Sequence, residues 1–221
     1  MIRKAVILSV FFLAGALMVP SARAGEAWEF GLKVGVSYFS MGGESAGLTD
    51  YKAGFCAGGL VARKISRTFT LQAEAQYVMK GGEKRIIEGS YKEKYTLTYL
   101  EFPLLVKVVF PPSKDKPETP SYRSVGNEGF TPGFYAGPVI GFNLSATRTY
   151  SEFQLTEDIS GVKNLDYGLA IGGGFDSALP KGKMLFDLRY TFGLRKILDL
   201  DSDADPDILN RGVTIMVGYV F

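Results

Sequence analysis

Gly212-Val213-Thr214-Ile215-Met216-Val217-Gly218-Tyr219-Val220-Phe221 ends the sequence. Val213, Ile215, Val217, Tyr219 and Phe221 fall on one face at a period of two. Thr214 and Gly218, with the softer Met216 and Val220, fall on the other. A period of two is the signature of a strand with two unlike faces. A half-buried strand of a soluble protein rarely runs to the last residue and stops on an aromatic ring.

The same alternation recurs upstream. Trp28, Phe30, Leu32, Val34, Val36 and Tyr38 oppose Glu29, Gly31, Lys33, Gly35 and Ser37. Further strands are expected over 51–63, 69–80, 95–110, 134–147, 165–178 and 184–192. Pro103 sits inside the fourth, where a ladder amide is lost. Tyr95, Leu97 and Tyr99 have the opposite parity to Leu100, Phe102 and Leu104, so a bulge is expected near Tyr99. The intervening stretches carry glycine, proline and charge. Those at 40–50, 81–94, 111–132, 149–163 and 195–211 are long, and those at 64–68 and 179–183 are short.

Composition narrows the class. Arg3 and Lys4, an apolar run from Ala5 to Val19 and Ala22-Arg23-Ala24 form an expected secretory signal peptide over residues 1–24, cleaved after Ala24. Residues 25–221 form one domain. Removing Arg3, Lys4 and Arg23 takes the basic count from 25 to 22, against 23 acidic residues. That near-neutral balance offers nothing to nucleic acid. Cys56 is the single cysteine, so no internal disulfide forms. The mature chain has no apolar run long enough for a membrane helix.

The faces decide between a soluble and a membrane barrel. The uniform, large set of Phe, Tyr, Leu, Ile and Val would overfill the inside of an eight-stranded barrel, whose interior is just wide enough for side chains. The opposite face carries glycines with Lys33, Glu74, Glu101, Lys107, Asp166, Asp176, Asp187 and Arg189, and fits it. The expected fold is therefore an all-β, eight-stranded antiparallel transmembrane up-and-down β-barrel. Trp28, Tyr38, Tyr77, Tyr167, Tyr190 and Tyr219 are available for interfacial girdles. Inside, Glu74 is expected to pair with Lys33 and Glu101 with Arg189. A soluble, lipocalin-like periplasmic binder is the reading with the faces reversed.

The closing strand, with Tyr219 and Phe221 two apart, resembles the last strand of bacterial outer-membrane barrels. The chain as a whole resembles the PorT-like outer-membrane β-barrel family. The likeness lies in Gly54-Phe55 with Gly58-Gly59, in Phe69-Thr70-Leu71-Gln72-Ala73-Glu74 leading to Lys80-Gly81-Gly82, and in Tyr99-Leu100-Glu101-Phe102-Pro103-Leu104-Leu105-Val106-Lys107. Asp187-Leu188-Arg189-Tyr190-Thr191 and the closing Val217-Gly218-Tyr219-Val220-Phe221 complete it. The resemblance implies the bacterial outer membrane and makes Pro103 a family feature. It also implies delivery to the barrel assembly machinery through the strand that ends in Phe221. It brings no catalytic residues with it.

Chemistry is sparse. The chain has no histidine, so the usual general base is missing and only a carboxylate or lysine base remains. Gly172-Gly173-Gly174 lies within a strand, where curvature or lumen space explains it better than a phosphate loop. Cys56 reads as a small wall residue. Asp199, Asp201, Asp203, Asp205 and Asp207 alternate as calcium ligands do, but Ala204 replaces the turn glycine and Asn210 the bidentate glutamate, so a solvated acidic loop is expected. No catalytic, cofactor-binding or metal residue is predicted. The expected partners are outer-membrane lipid and a periplasmic or extracellular protein. The expected role is non-enzymatic and structural or interactive, with no open pore; a small-solute or secretion-associated transport component is the alternative.

Overall fold

The computed structural model describes residues 28–43, 47–85, 92–110, 130–150, 155–198 and 208–221. The described residues form ten strands in chain order. They are β1 (Trp28–Gly43), β2 (Gly47–Leu48), β3 (Asp50–Lys64), β4 (Phe69–Arg85), β5 (Lys92–Val109), β6 (Phe130–Tyr150), β7 (Leu155–Asp158), β8 (Leu165–Leu179), β9 (Gly182–Gly193) and β10 (Leu209–Val220). Eight of them form the wall, in the order β10-β9-β8-β6-β5-β4-β3-β1, and β10 pairs with β1 to close it. Every wall pairing is antiparallel. The closing seam runs from Gly31↔Val220 to Gly42↔Leu209. Closure leaves the eight-stranded wall without an open edge, the condition for crossing lipid with strands.

The two faces segregate as the period of two requires. Leu32, Val34, Val36 and Tyr38 of β1 are exposed, as are Leu104 and Val106 of β5 and Leu169 and Ile171 of β8. Lys33, Ser37, Gln72, Glu74, Glu101, Asp187 and Arg189 are buried inside. This is the reverse of a lipocalin, whose apolar residues face its cavity.

The wall strands are longer than the alternation predicts. β1 continues to Gly43, and β4 and β5 extend to Arg85 and back to Lys92. The stretches expected as loops at 40–50 and 149–163 contain β2, which folds back on β1, and β7, which pairs with β6. Beyond the lipid neither face has to be apolar, so the pattern fades while the ladder persists. The short connections are Ile65–Thr68 and Pro180–Lys181. In the first, Ile65 and Ser66 donate their amides to the Phe69 carbonyl, and Thr68 and Phe69 donate theirs to the Ser66 hydroxyl. Gly182 closes the second at φ 139°, a conformation that favours glycine.

The expected bulge near Tyr99 exists, but on the neighbouring strand. Thr98 pairs with Ser145 and Tyr99 with Asn143, so Leu144 of β6 is the extra residue. β5 itself keeps its parity, and Leu97, Tyr99, Glu101, Pro103 and Leu105 all point inward and are buried. The register skips Phe102 and Pro103 on the β4 side and Leu104 and Leu105 on the β6 side, where Gly137 and Pro138 are the opposing residues. Each proline removes the amide that a regular ladder would use there. Gly137 fits this gap, since a Cβ there would lie 1.9 Å from the Leu104 carbonyl oxygen.

Candidate functional site

The interior of the barrel is the most highly constructed part of the molecule. Its centre is a four-charge network drawn from β1, β4 and β9. Lys33 Nζ donates to Glu74 Oε1 at 2.7 Å and to Asp187 Oδ2 at 2.9 Å. Arg189 approaches Glu74 with both guanidinium NH groups, Nη1 to Oε2 and Nη2 to Oε1, each at 2.9 Å. Its Nη2 also reaches Asp187 Oδ2 at 3.1 Å. Gln72 donates to Glu74, and the Tyr135 hydroxyl donates to Asp187. Two cations thus face two carboxylates, all buried, and the network is neutral.

Glycine makes the room. A Cβ on Gly172 would lie 2.4 Å from the Tyr135 hydroxyl oxygen and 2.5 Å from the Leu188 carbonyl oxygen. The triple glycine of β8 is therefore lumen space on the inner face. On the outer face Gly173 sits opposite Phe134, whose ring covers it. Cys56 is buried with Phe39, Val78 and Met216 in an apolar cluster, as a small wall residue should be.

A second network lies toward the loop end. Lys80 Nζ sits 2.5 Å from Glu101 Oε1 and 3.5 Å from Asp166 Oδ2, over the rings of Phe39 and Tyr99 at 5.1 and 4.9 Å. Asn210 Nδ2 donates to Asp166 Oδ2 at 3.0 Å and to the Tyr99 hydroxyl at 3.3 Å. Glu101 therefore takes Lys80, not Arg189 as expected, because Arg189 is already occupied by Glu74 and Asp187. The expected Lys33–Glu74 pair is present. Lys107 and Asp176 form a separate pair at 2.7 Å. Above the second network, Met41, Leu97, Tyr99, Ala146 and Ile197 close the loop end as an apolar cap. Ile197 enters it from the segment after β9, which Lys163 and Ile208 hold by backbone hydrogen bonds to Ile197.

Lys80, Tyr99, Tyr135 and Asn210 complete these networks, though the alternation by itself gives none of them a partner. Lys80 and Tyr135 do sit on the inward parity of their strands, which is the signal that finds them. Asn210 falls in a stretch that reads as loop.

A match to the family model described as Outer membrane protein beta-barrel domain covers residues 20–199. The chain belongs to this family. Family and wall polarity together make the protein an outer-membrane β-barrel of the bacterial envelope. No curated protein matches it by sequence. Among solved structures it is similar to the attachment invasion locus protein Ail of Yersinia pestis in complex with the heparin analogue sucrose octasulfate, at 14% identity and a TM-score of 0.40, covering 88% of this chain and 99% of that one. It is also similar to Neisserial surface protein A, at 11% identity and a TM-score of 0.41, over 87% of this chain and 97% of that one. The N-terminal β-barrel domain of Pseudomonas aeruginosa OprF gives 14% identity and a TM-score of 0.38, over 86% and 97%.

Three sequence expectations lie outside the described residues. These are the signal peptide over 1–24, the acidic run Asp199 to Asp207, and all of the 111–132 connection except its last three residues.

Proposed function

We propose that the protein is a non-enzymatic, non-conducting outer-membrane barrel of the PorT-like type, which acts through what its two ends hold. The observation that carries this reading is the buried Lys33–Glu74–Asp187–Arg189 network, which ties β1, β4 and β9 together across the lumen. A neutral network of this kind, in which Arg189 Nε is left without a partner, has a structural task, and it obstructs solute. The missing histidine removes the base on which hydrolytic chemistry usually depends, which favours the non-enzymatic reading.

The orientation follows from connection length. Short turns are periplasmic in this class and long loops are external. The turns at 65–68 and 180–181, the start of β1 and Phe221 therefore face the periplasm. The end of β5 at Val109 and the start of β6 at Phe130 lie at this end too, and the long connection between them departs from the rule by its length. Residues 1–24 serve as the export signal. The strand ending in Phe221 delivers the chain to the assembly machinery.

Planar-bilayer recording of the full chain tests the reading. The wild type is expected to be electrically silent, whereas replacing Lys33, Glu74 and Arg189 together with alanine is expected to admit current. Steady nanosiemens conductance from the wild type overturns the proposal in favour of a small-solute channel.

A further inference from the structure

We infer that the outer wall at the turn end, around Arg63 and Trp28, binds the headgroup of an anionic glycerophospholipid of the periplasmic leaflet. The inference rests on the orientation proposed above.

Trp28, Arg63, Leu71 and Val106 form one outward row across β1, β3, β4 and β5, each paired with the next. Leu71 and Val106 are exposed, as lipid-facing residues are, and Trp28 is 45% exposed at the very start of its strand. Arg63 is thus a cation set into an otherwise apolar row. Its Cζ lies 5.1 Å from the centre of the Trp28 ring, so the guanidinium is fixed on an aromatic face at the edge of the wall. Among the described residues no carboxylate pairs with it.

The neighbouring charges do not compensate. Lys64, Arg67 and Lys183 stand at the same end, and Lys64 and Lys183 both meet Glu29. Glu29 Oε1 is shared by Lys64, at 2.9 Å, and by Lys183. Glu29 is thus divided between two cations, and positive charge predominates at this corner. Arg67 lies in the exposed turn that follows β3.

This arrangement states what the occupant must be. A planar guanidinium with five donors suits a phosphodiester. The apolar surface of Leu71, Val106 and Phe69 beside it suits acyl chains. The excess positive charge favours a headgroup with net negative charge over a zwitterion, which carries its own cation. A phosphatidylglycerol-type lipid meets all three conditions.

Native mass spectrometry tests this, using full-length protein released from nanodiscs of equal phosphatidylglycerol and phosphatidylcholine. The wild type is expected to retain phosphatidylglycerol in preference. Arg63→Gln/Arg67→Gln should lower that preference between fivefold and thirtyfold, since each basic residue near an anionic surface contributes roughly fivefold. Arg67→Gln alone, in an exposed turn that does not build the wall, should lower it roughly fivefold. Lys94→Gln/Arg148→Gln at the loop end should leave it unchanged. Equal retention of both lipids by the wild type, or undiminished preference in the Arg63 and Arg67 variants, overturns the inference. Cold-SDS gel mobility is read in parallel. A folded barrel without lipid preference removes only this site, while a wild type that never shows heat-modifiable mobility removes the barrel reading itself.

Discussion

Glu74→Gln is the sharpest test of the central network, because Glu74 accepts from Lys33, from both Arg189 NH groups and from Gln72. The change keeps the shape and removes one of two negative charges. Lys33 and Arg189 are then left with Asp187 alone, and one buried positive charge has no counterpart. Removing one partner of a buried ion pair costs about 3–5 kcal/mol, chiefly for the stranded charge. Lys33→Met strands a negative charge in the same way and carries a similar cost. The double variant Lys33→Met/Glu74→Gln leaves Arg189 on Asp187 at 3.1 Å, which is neutral again. Its cost should therefore fall well below the sum of the single changes, by about 1.5–3 kcal/mol or more, in the range seen for coupled neighbours. Reversible urea unfolding in phospholipid vesicles, followed through the single tryptophan Trp28, measures all three. Raising the salt should change little, since the groups are shielded from counterions. A cost below about 1 kcal/mol for Glu74→Gln, against the 3–5 kcal/mol of a stranded charge, would refute the reasoning. So would strict additivity in the double variant.

Other expectations follow from the same geometry. Gly172→Ala places a methyl against the Tyr135 hydroxyl and the Leu188 carbonyl, and should cost about 1–3 kcal/mol in the same unfolding assay, as overpacking does. Leu188→Arg puts a charge on the lipid face and should cost about 2–4 kcal/mol, whereas Thr191→Val on the lumen face should cost far less; vesicle-insertion equilibria separate the two. Tyr99→Phe removes the acceptor that Asn210 uses at 3.3 Å and should lower stability by about 0.5–1.5 kcal/mol without changing the cold-SDS mobility.

The wall was legible because its chemistry is periodic. A glycine or charge at every second position, opposite a large apolar residue, states both the strand and its direction relative to lipid, and Pro180-Lys181-Gly182 states a turn. The bulge was legible in location but not in strand. The parity conflict at Tyr95, Leu97 and Tyr99 shows on β5, whereas the extra residue, Leu144, sits in β6. The tyrosines and Leu97 are large residues that belong inside, which a rule of small residues inward misreads. The ion pairs were half legible. Opposite signs at inward positions give Lys33 with Glu74 but point Glu101 to Arg189, because partners across a lumen depend on tilt and stagger, which are set by the register of all eight strands together. Asn210 was hidden for a simpler reason: β10 starts at Leu209, before its apolar alternation begins.

Glycine content and buried charge in this chain are one device. Gly218 faces the Lys33 side chain, whose Cγ would be 2.8 Å from an added Cβ. Gly58 makes room against Gln76, Gly172 beside Tyr135 and Gly54 beside the Ser37 hydroxyl. A lumen of eight strands has little volume, and a long polar side chain crosses it only where the facing wall carries no side chain. Each of these four glycines is thus the seat of a neighbour that reaches inward. Filling one seat displaces a polar side chain from its partner and destabilises the barrel without opening it. Opening it requires removal of the long side chains themselves, and their loss strands charges in a medium that stabilises none. A conducting form of this barrel is therefore expected to be an unstable one. That coupling confines functional change in such a chain to its two ends, where a substitution alters contacts with lipid or partner while the charge balance within stays intact.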